Sequence, residues 1–65
     1  MIDIKERRES KGMTQSDLAE RVGVSRQAIS NIEIGIAKPD VAHAKLIGQV
    51  LEFDWWDLFD DENPN

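Results

Sequence analysis

Residues 15–33, QSDLAERVGVSRQAISNIE, decide how this chain folds. They read as two short helices joined by a tight turn at Gly23. Thr14 is the N-cap of the first. Asp17, three residues on, completes a capping box with Asp in place of the usual Glu. Leu18, Ala19 and Val22 recur at helical spacing and form the buried stripe. Gly23 ends this helix where left-handed dihedrals cost another residue roughly 1 kcal/mol or more. Val24 is the apolar corner residue, and Ser25 caps the next helix. That helix turns Ala28, Ile29 and Ile32 inward. Arg26, Gln27, Ser30 and Asn31 lie on successive turns of its opposite face.

Reading outward, residues 2–11 are expected to form a first helix. Asp3 in its first turn suits the positive end of the helix dipole. Ile4 and Arg8, four apart, share a face. Gly12 stops the helix, and Met13 enters the core. On the other side, residues 33–39 read as a loop with Gly35 at the helix exit and Pro39 before the next start. Asp40 caps a fourth helix reaching about Leu51. Val41, Ala44, Ile47, Val50 and Leu51 are its apolar positions. A mid-helix glycine costs about 1 kcal/mol relative to Ala, so Gly48 is expected to permit a close helix–helix approach. Asp54 caps a last short helix over residues 55–59. The polar stretch after it contains Pro64 and should fray.

The 65 residues suffice for one domain, expected over residues 1–59 and followed by an acidic polar tail over 60–65. The fold class is all-α, because no stretch alternates apolar and polar positions long enough for a partnered strand. There is no cysteine, hence no disulfide or thiolate metal site. The opening MIDIKERRES turns charged at once, unlike a signal peptide. No apolar run approaches the ~20 residues of a membrane span. A cytoplasmic location without membrane contact is the expectation.

A net charge of −5 argues at first sight against a nucleic-acid binder. The distribution matters more than the sum. Six acids, Glu52, Asp54, Asp57, Asp60, Asp61 and Glu62, follow Leu51 with no base among them. Without them, residues 1–51 carry 8 basic against 7 acidic side chains, or +1. The chain is a near-neutral body with an acidic end.

Leu18, Ala19, Val22, Gly23, Val24, Ile29 and Ile32 together fit a helix-turn-helix template. With IKERRESKGMTQSDLAERVGVSRQAISNIEIG, the later IGQVLEFD and the closing WWDLF, the chain resembles the lambda repressor-like helix-turn-helix family of Cro and phage repressors. The resemblance runs from about Ile4 to Phe59. It implies a compact five-helix bundle and a homodimer reading a two-fold operator in double-stranded DNA. Gln15 matches a glutamine that touches phosphate and braces the reading helix, and Thr14 beside it is counted with the DNA-contacting residues. Arg26, Gln27 and Asn31 match positions that reach base edges, with Ser25 and Ser30 beside them near the backbone. Arg8 and Glu33 match a pair joining the first helix to the end of the third. Gly48 stands where the family usually has Ala, and Glu52 where it often has Gly. The loop after the third helix has only Lys38 as a base, where more are common; Lys38 is the expected phosphate anchor.

The chemistry of the outward face agrees independently. Arg forks to guanine, and Gln or Asn pairs bidentately with adenine. An open N-terminus of the second helix beside Gln15 suits a phosphate. In an arbitrary helix a solvated polar face is the better reading, and it is the template around these residues that favours base contact. Trp55 and Trp56 point about 100° apart on a helix. One is expected in the core with Phe53 and Leu58. The other, with Phe59 and Val50, is a candidate dimer surface.

Other chemistry is not expected. His43 has no second ligand beside it. Asp57, Asp60, Asp61 and Glu62 lack the alternating ligand loop of a calcium site. No nucleophile–base set is present, so neither an enzyme nor a cofactor is expected. The function expected is a sequence-specific transcriptional regulator, a repressor reading its operator as a homodimer. The rival is a protein-interaction module, an antirepressor or antitoxin acting through another regulatory protein, and it is motivated by the low basicity.

Overall fold

The structure, a computed structural model, describes residues 3–62, with side chains as far as residue 59. Four α-helices are followed by a 3-10 helix: α1 Ile4–Ser10, α2 Gln15–Val22, α3 Arg26–Ile34, α4 Val41–Leu51, and the 3-10 segment Trp55–Glu62. There is no strand among the described residues. The architecture is all-helical, with the fifth helix tighter than an α-helix.

Local chemistry sets most of the boundaries. The Asp3, Thr14, Ser25 and Asp40 side chains each accept a hydrogen bond from the main-chain N–H three residues on, at Glu6, Asp17, Ala28 and His43. Each satisfies one of the four donors that a helix start leaves open. At Thr14 the capping box is reciprocal, because the Asp17 carboxylate accepts from the Thr14 N–H at 3.0 Å. Gly23 closes α2 at φ +85°. This left-handed residue lets the Ala19 carbonyl accept from both the Gly23 and Val24 N–H groups, at 2.8 and 3.0 Å.

Leu18, Ile29, Ile47 and Leu51 are fully buried, and Ile4, Ala19 and Val22 complete one core cluster. Met13, Val24, Ile32, Val50, Phe53 and Leu58 pack around it half-buried. Each helix contributes at helical spacing, and α2 packs chiefly on α3 and α4. This leaves the far face of α3 outside.

The structure corrects several expectations. Helix α1 spans Ile4–Ser10 rather than residues 2–11, with Asp3 as its N-cap; Ile2 lies outside the described residues. Helix α3 takes in Glu33 and Ile34, which the sequence suggested were loop, because the left-handed stop falls on Gly35. Val41 is half exposed, not core. It is the first residue of α4, and the buried stripe begins at Ala44. The last helix runs past Phe59 to Glu62, into the stretch assigned to the tail. Residues 63–65 lie outside the described residues.

Gly48 does allow a close approach, but to the chain leaving α4 rather than to another α-helix. A Cβ there would sit 2.8 Å from the Phe53 carbonyl oxygen and 3.0 Å from the Trp55 Cβ. The chain folds back this tightly because Glu52 takes left-handed dihedrals, φ +62°. The Phe53 N–H then returns to the Gly48 carbonyl at 3.0 Å.

Candidate nucleic-acid interface

Helix α3 is anchored from behind and open in front. Ile29 is buried and Ile32 half-buried on its inner side. Ser25, Arg26 and Gln27 are exposed, and Ser30 and Asn31 are half-buried beside them. Gln27 Nε2 donates to Asn31 Oδ1 at 3.0 Å, one helical turn away. This bond joins two amides on the outer face. It leaves the Gln27 oxygen as an acceptor and the Asn31 nitrogen as a donor, which is the pairing an adenine edge takes.

The far end of α3 is held by a buried ionic network. Arg8 Nε donates to Glu33 Oε2 at 2.6 Å, and Arg8 Nη2 donates to Glu33 Oε1 at 3.3 Å. Arg8 Nη1 donates to the Met13 carbonyl at 2.7 Å, and Gln15 Nε2 donates to Glu33 Oε1 at 3.0 Å. The two charged side chains are 8% and 2% exposed. The hydrogen bond to Glu33 pushes the Arg8 guanidinium pKa above its ordinary value, outweighing the opposing effect of burial. No buried side-chain nitrogen or oxygen among the described residues lacks a partner. The network fixes the end of α3 against α1 and the start of α2, so the angle of its outer face is set by three elements.

The phosphate side differs from expectation. The N-terminus of α2 is only half open. Two of the four donors that start a helix, at Thr14 and Asp17, are taken up by the capping box. The N–H groups of Gln15 and Ser16 are the remaining two. The Asp17 carboxylate is held below the usual carboxylate range, first by the Thr14 N–H and then by the Thr14 side chain. It stays anionic at the same helix end. One amide hydrogen of Gln15 is directed to Glu33, so only the other is available to an outside acceptor.

The bases are distributed unexpectedly. Lys38 lies 5.9 Å from the Phe59 ring centroid. The Arg7 guanidinium is 5.5 Å from the Phe53 ring and Lys45 is 5.6 Å from the Trp55 ring. Arg7 also donates to the Glu52 carbonyl at 3.3 Å, and Lys11 pairs with the Glu52 carboxylate at 3.3 Å. The acidic, aromatic end of the chain therefore gathers four cations. At the expected dimer surface Trp56 is 55% exposed, while Val50, Trp55 and Phe59 are half-buried. Val50 packs on the core. Trp55 stacks edge-on with both Trp56 and Phe59. His43 Nδ1 lies 2.9 Å from Asp40 Oδ1, and no cluster of metal-ligating side chains occurs among the described residues. No helix among them is long and apolar enough to cross a membrane.

Sequence reasoning passed over Ile34 and Ile36. They are 67% and 72% exposed, the most exposed large apolar side chains described. The available signal was two isoleucines flanking Gly35 in a loop otherwise read as connection.

Comparison with known proteins agrees with this architecture. The helix-turn-helix family model matches residues 4–55, and the chain belongs to that family, in its lambda repressor-like form. It is 40% identical over 58 residues to the uncharacterized HTH-type transcriptional regulator YqaF of Bacillus subtilis, covering 89% of this chain and 76% of that one. It is 43% identical over 61 residues to an uncharacterized HTH-type transcriptional regulator of Archaeoglobus fulgidus, covering 91% and 87%. A third such regulator, from Methanothermobacter thermautotrophicus, is 46% identical over 48 residues, covering 74% and 70%.

Proposed function

We infer that this chain is a DNA-binding transcription regulator that reads a two-fold operator as a homodimer and acts as a repressor. The observation that carries the reading is the two-sided character of α3. Its outer face holds Arg26, Gln27, Ser30 and Asn31, while its inner face and far end are fixed by Ile29 and by the Arg8–Glu33–Gln15 network. Arg26 is suited to a guanine, and the Gln27–Asn31 amide pair to an adenine. Ser25, Thr14 and the remaining donors of Gln15 lie toward the phosphates. In a homodimer the two reading helices stand about 34 Å apart, one turn of DNA.

Selection of bound fragments from random DNA tests the reading directly. It should return a two-fold sequence with half-sites one helical turn apart. Gln27→Ala should then weaken binding by about 1–3 kcal/mol and relax preference at one base pair. Wild-type affinity and selectivity in that variant would refute its role.

A second reading draws on the engagement of Arg7, Lys11, Lys38 and Lys45 by the C-terminal segment. A surface whose exposed bases are in large part engaged by the chain's own C-terminal segment also suits an antirepressor or antitoxin that works through a partner protein. Retardation of operator DNA by the protein alone, weakening steeply with salt, supports the first reading. Retardation only with a second protein present supports the other.

A further inference from the structure

The loop after α3 and the 3-10 segment enclose a depression of about 320 Å³. Ile32, Ile34, Pro39 and Leu58 give it apolar walls, and Asp3 and Asp57 give it carboxylates. Ile34 is 67% exposed on one side of it. On the other side Leu58 and Asp57 directly follow Trp56, whose indole is itself 55% exposed. The exposed aromatic is therefore the immediate chain neighbour of two residues that line the depression.

Area decides whether the aromatic end can pair two copies alone. An aromatic side chain offers about 150–250 Å², and only about half of Trp56 is free to be covered. Val50, Trp55 and Phe59 are already half-buried. Together they supply roughly 300 Å² at most, against the ~800 Å² per partner of a standard interface. Further apolar surface is needed, and Ile34 and Ile36 are the most exposed large apolar side chains among the described residues.

We propose that each protomer's Trp56 indole seats in the other protomer's depression, against Ile34, with Ile36 extending the contact. The proposal rests on the homodimer reading above and specifies where its two copies meet. A two-fold contact is self-complementary, so one projection and one depression on each protomer suffice to close it. The chemistry of the depression fits an indole. An indole is an apolar body with one N–H donor and no acceptor. Ile32, Ile34, Pro39 and Leu58 offer apolar wall beside the charged Glu33 and Lys38, and the Asp3 and Asp57 carboxylates are acceptors for that donor.

The test uses the full chain with Trp55→Phe, so that Trp56 is the sole indole reporter. Folding of each variant is checked by circular dichroism melting. Sedimentation velocity follows the dimer, and emission wavelength follows the surroundings of Trp56. The expected result is association on concentration, with a blue shift as Trp56 leaves water. Ile34→Lys should raise the dimer Kd at least about tenfold, as expected for an interface anchor, and abolish the shift. Trp56→Ala, made with Trp55 retained, should raise the Kd likewise. If Trp56→Ala dissociates the dimer but Ile34→Lys leaves both Kd and blue shift unchanged, Trp56 meets another surface and the seating is overturned while the dimer stands. If the unsubstituted chain remains monomeric with and without operator DNA, the homodimer reading fails and the seating with it.

Discussion

Removing the Arg8 side chain tests how α3 is held. In Arg8→Ala the Glu33 carboxylate, 2% exposed, loses the partner at 2.6 Å and keeps only the Gln15 amide at 3.0 Å. The Met13 carbonyl loses its donor as well. Breaking a buried ion pair from one side costs about 3–5 kcal/mol, because the remaining charge stays in the interior unpaired. At 0.05–0.15 kcal/mol per residue, a domain this size has roughly 3–10 kcal/mol to lose. Arg8→Ala should therefore be partly or wholly unfolded at room temperature, as measured by urea denaturation followed by circular dichroism. The double variant Arg8→Met/Glu33→Leu removes both charges and should recover most of the loss, since replacing a buried pair by apolar groups of similar size is often neutral. A loss below about 1 kcal/mol in Arg8→Ala would refute the reasoning and mark the pair as effectively solvated. Equal losses in the single and double variants would refute it differently, by assigning the cost to lost packing instead of the stranded charge.

Three further outcomes follow from local geometry. Glu52→Gly should stabilise by about 0.5–1 kcal/mol, because relief of the left-handed backbone at φ +62° outweighs an exposed ion pair with Lys11; a higher melting temperature is the check. Gly48→Ala should destabilise by about 1–2 kcal/mol in urea titration despite better helix propensity, since its Cβ would lie 2.8 Å from the Phe53 carbonyl oxygen. The lowered Asp17 pKa makes the capping box pH-dependent. Its contribution is fully present above the ordinary unfolded carboxyl value, about 3.9, and is lost as pH falls through the lower folded value. The difference in melting temperature between wild type and Asp17→Asn should accordingly narrow in strong acid; a gap that widens there would reverse the assignment.

The sequence made the caps and the core of α2 and α3 legible for a physical reason. A cap is a bond between a side chain and the main chain three residues on, so Thr14–Asp17, Ser25 and Asp40 carry their meaning locally. Leu18, Ile29 and Ile47 announce themselves by spacing. What escaped depends on neighbours distant along the chain. Val41 has an apolar side chain at the start of α4, but half of it is exposed. Gly48 was readable as a close approach, yet its partner emerges only once Glu52 has turned the chain back. The open α2 N-terminus expected for a phosphate is half closed by the very capping box that made the helix readable. Lys38 reads as a phosphate anchor in a loop, and only the fold brings Phe59 under it.

These departures bear on one another. By its resemblance to the family, this chain has Glu52 where glycine is often found, and in the loop after α3 Lys38 is its one base. Here Glu52 holds Lys11 and its carbonyl takes Arg7, while the aromatic rings beyond it draw Arg7, Lys45 and Lys38. Arg8 is committed to Glu33. Five of the eight bases therefore serve the inside or the C-terminal end, and Arg26 is the one base on the outer face of α3. Each phosphate neutralised contributes to affinity through released counterions, so a protomer with few such contacts binds weakly alone. The exit of α3, with Lys38 as its one base, also exposes Ile34 and Ile36. In the proposed assembly, affinity removed from the phosphate contacts of one copy is recovered by joining two, and the reading helix depends on the loop that follows it.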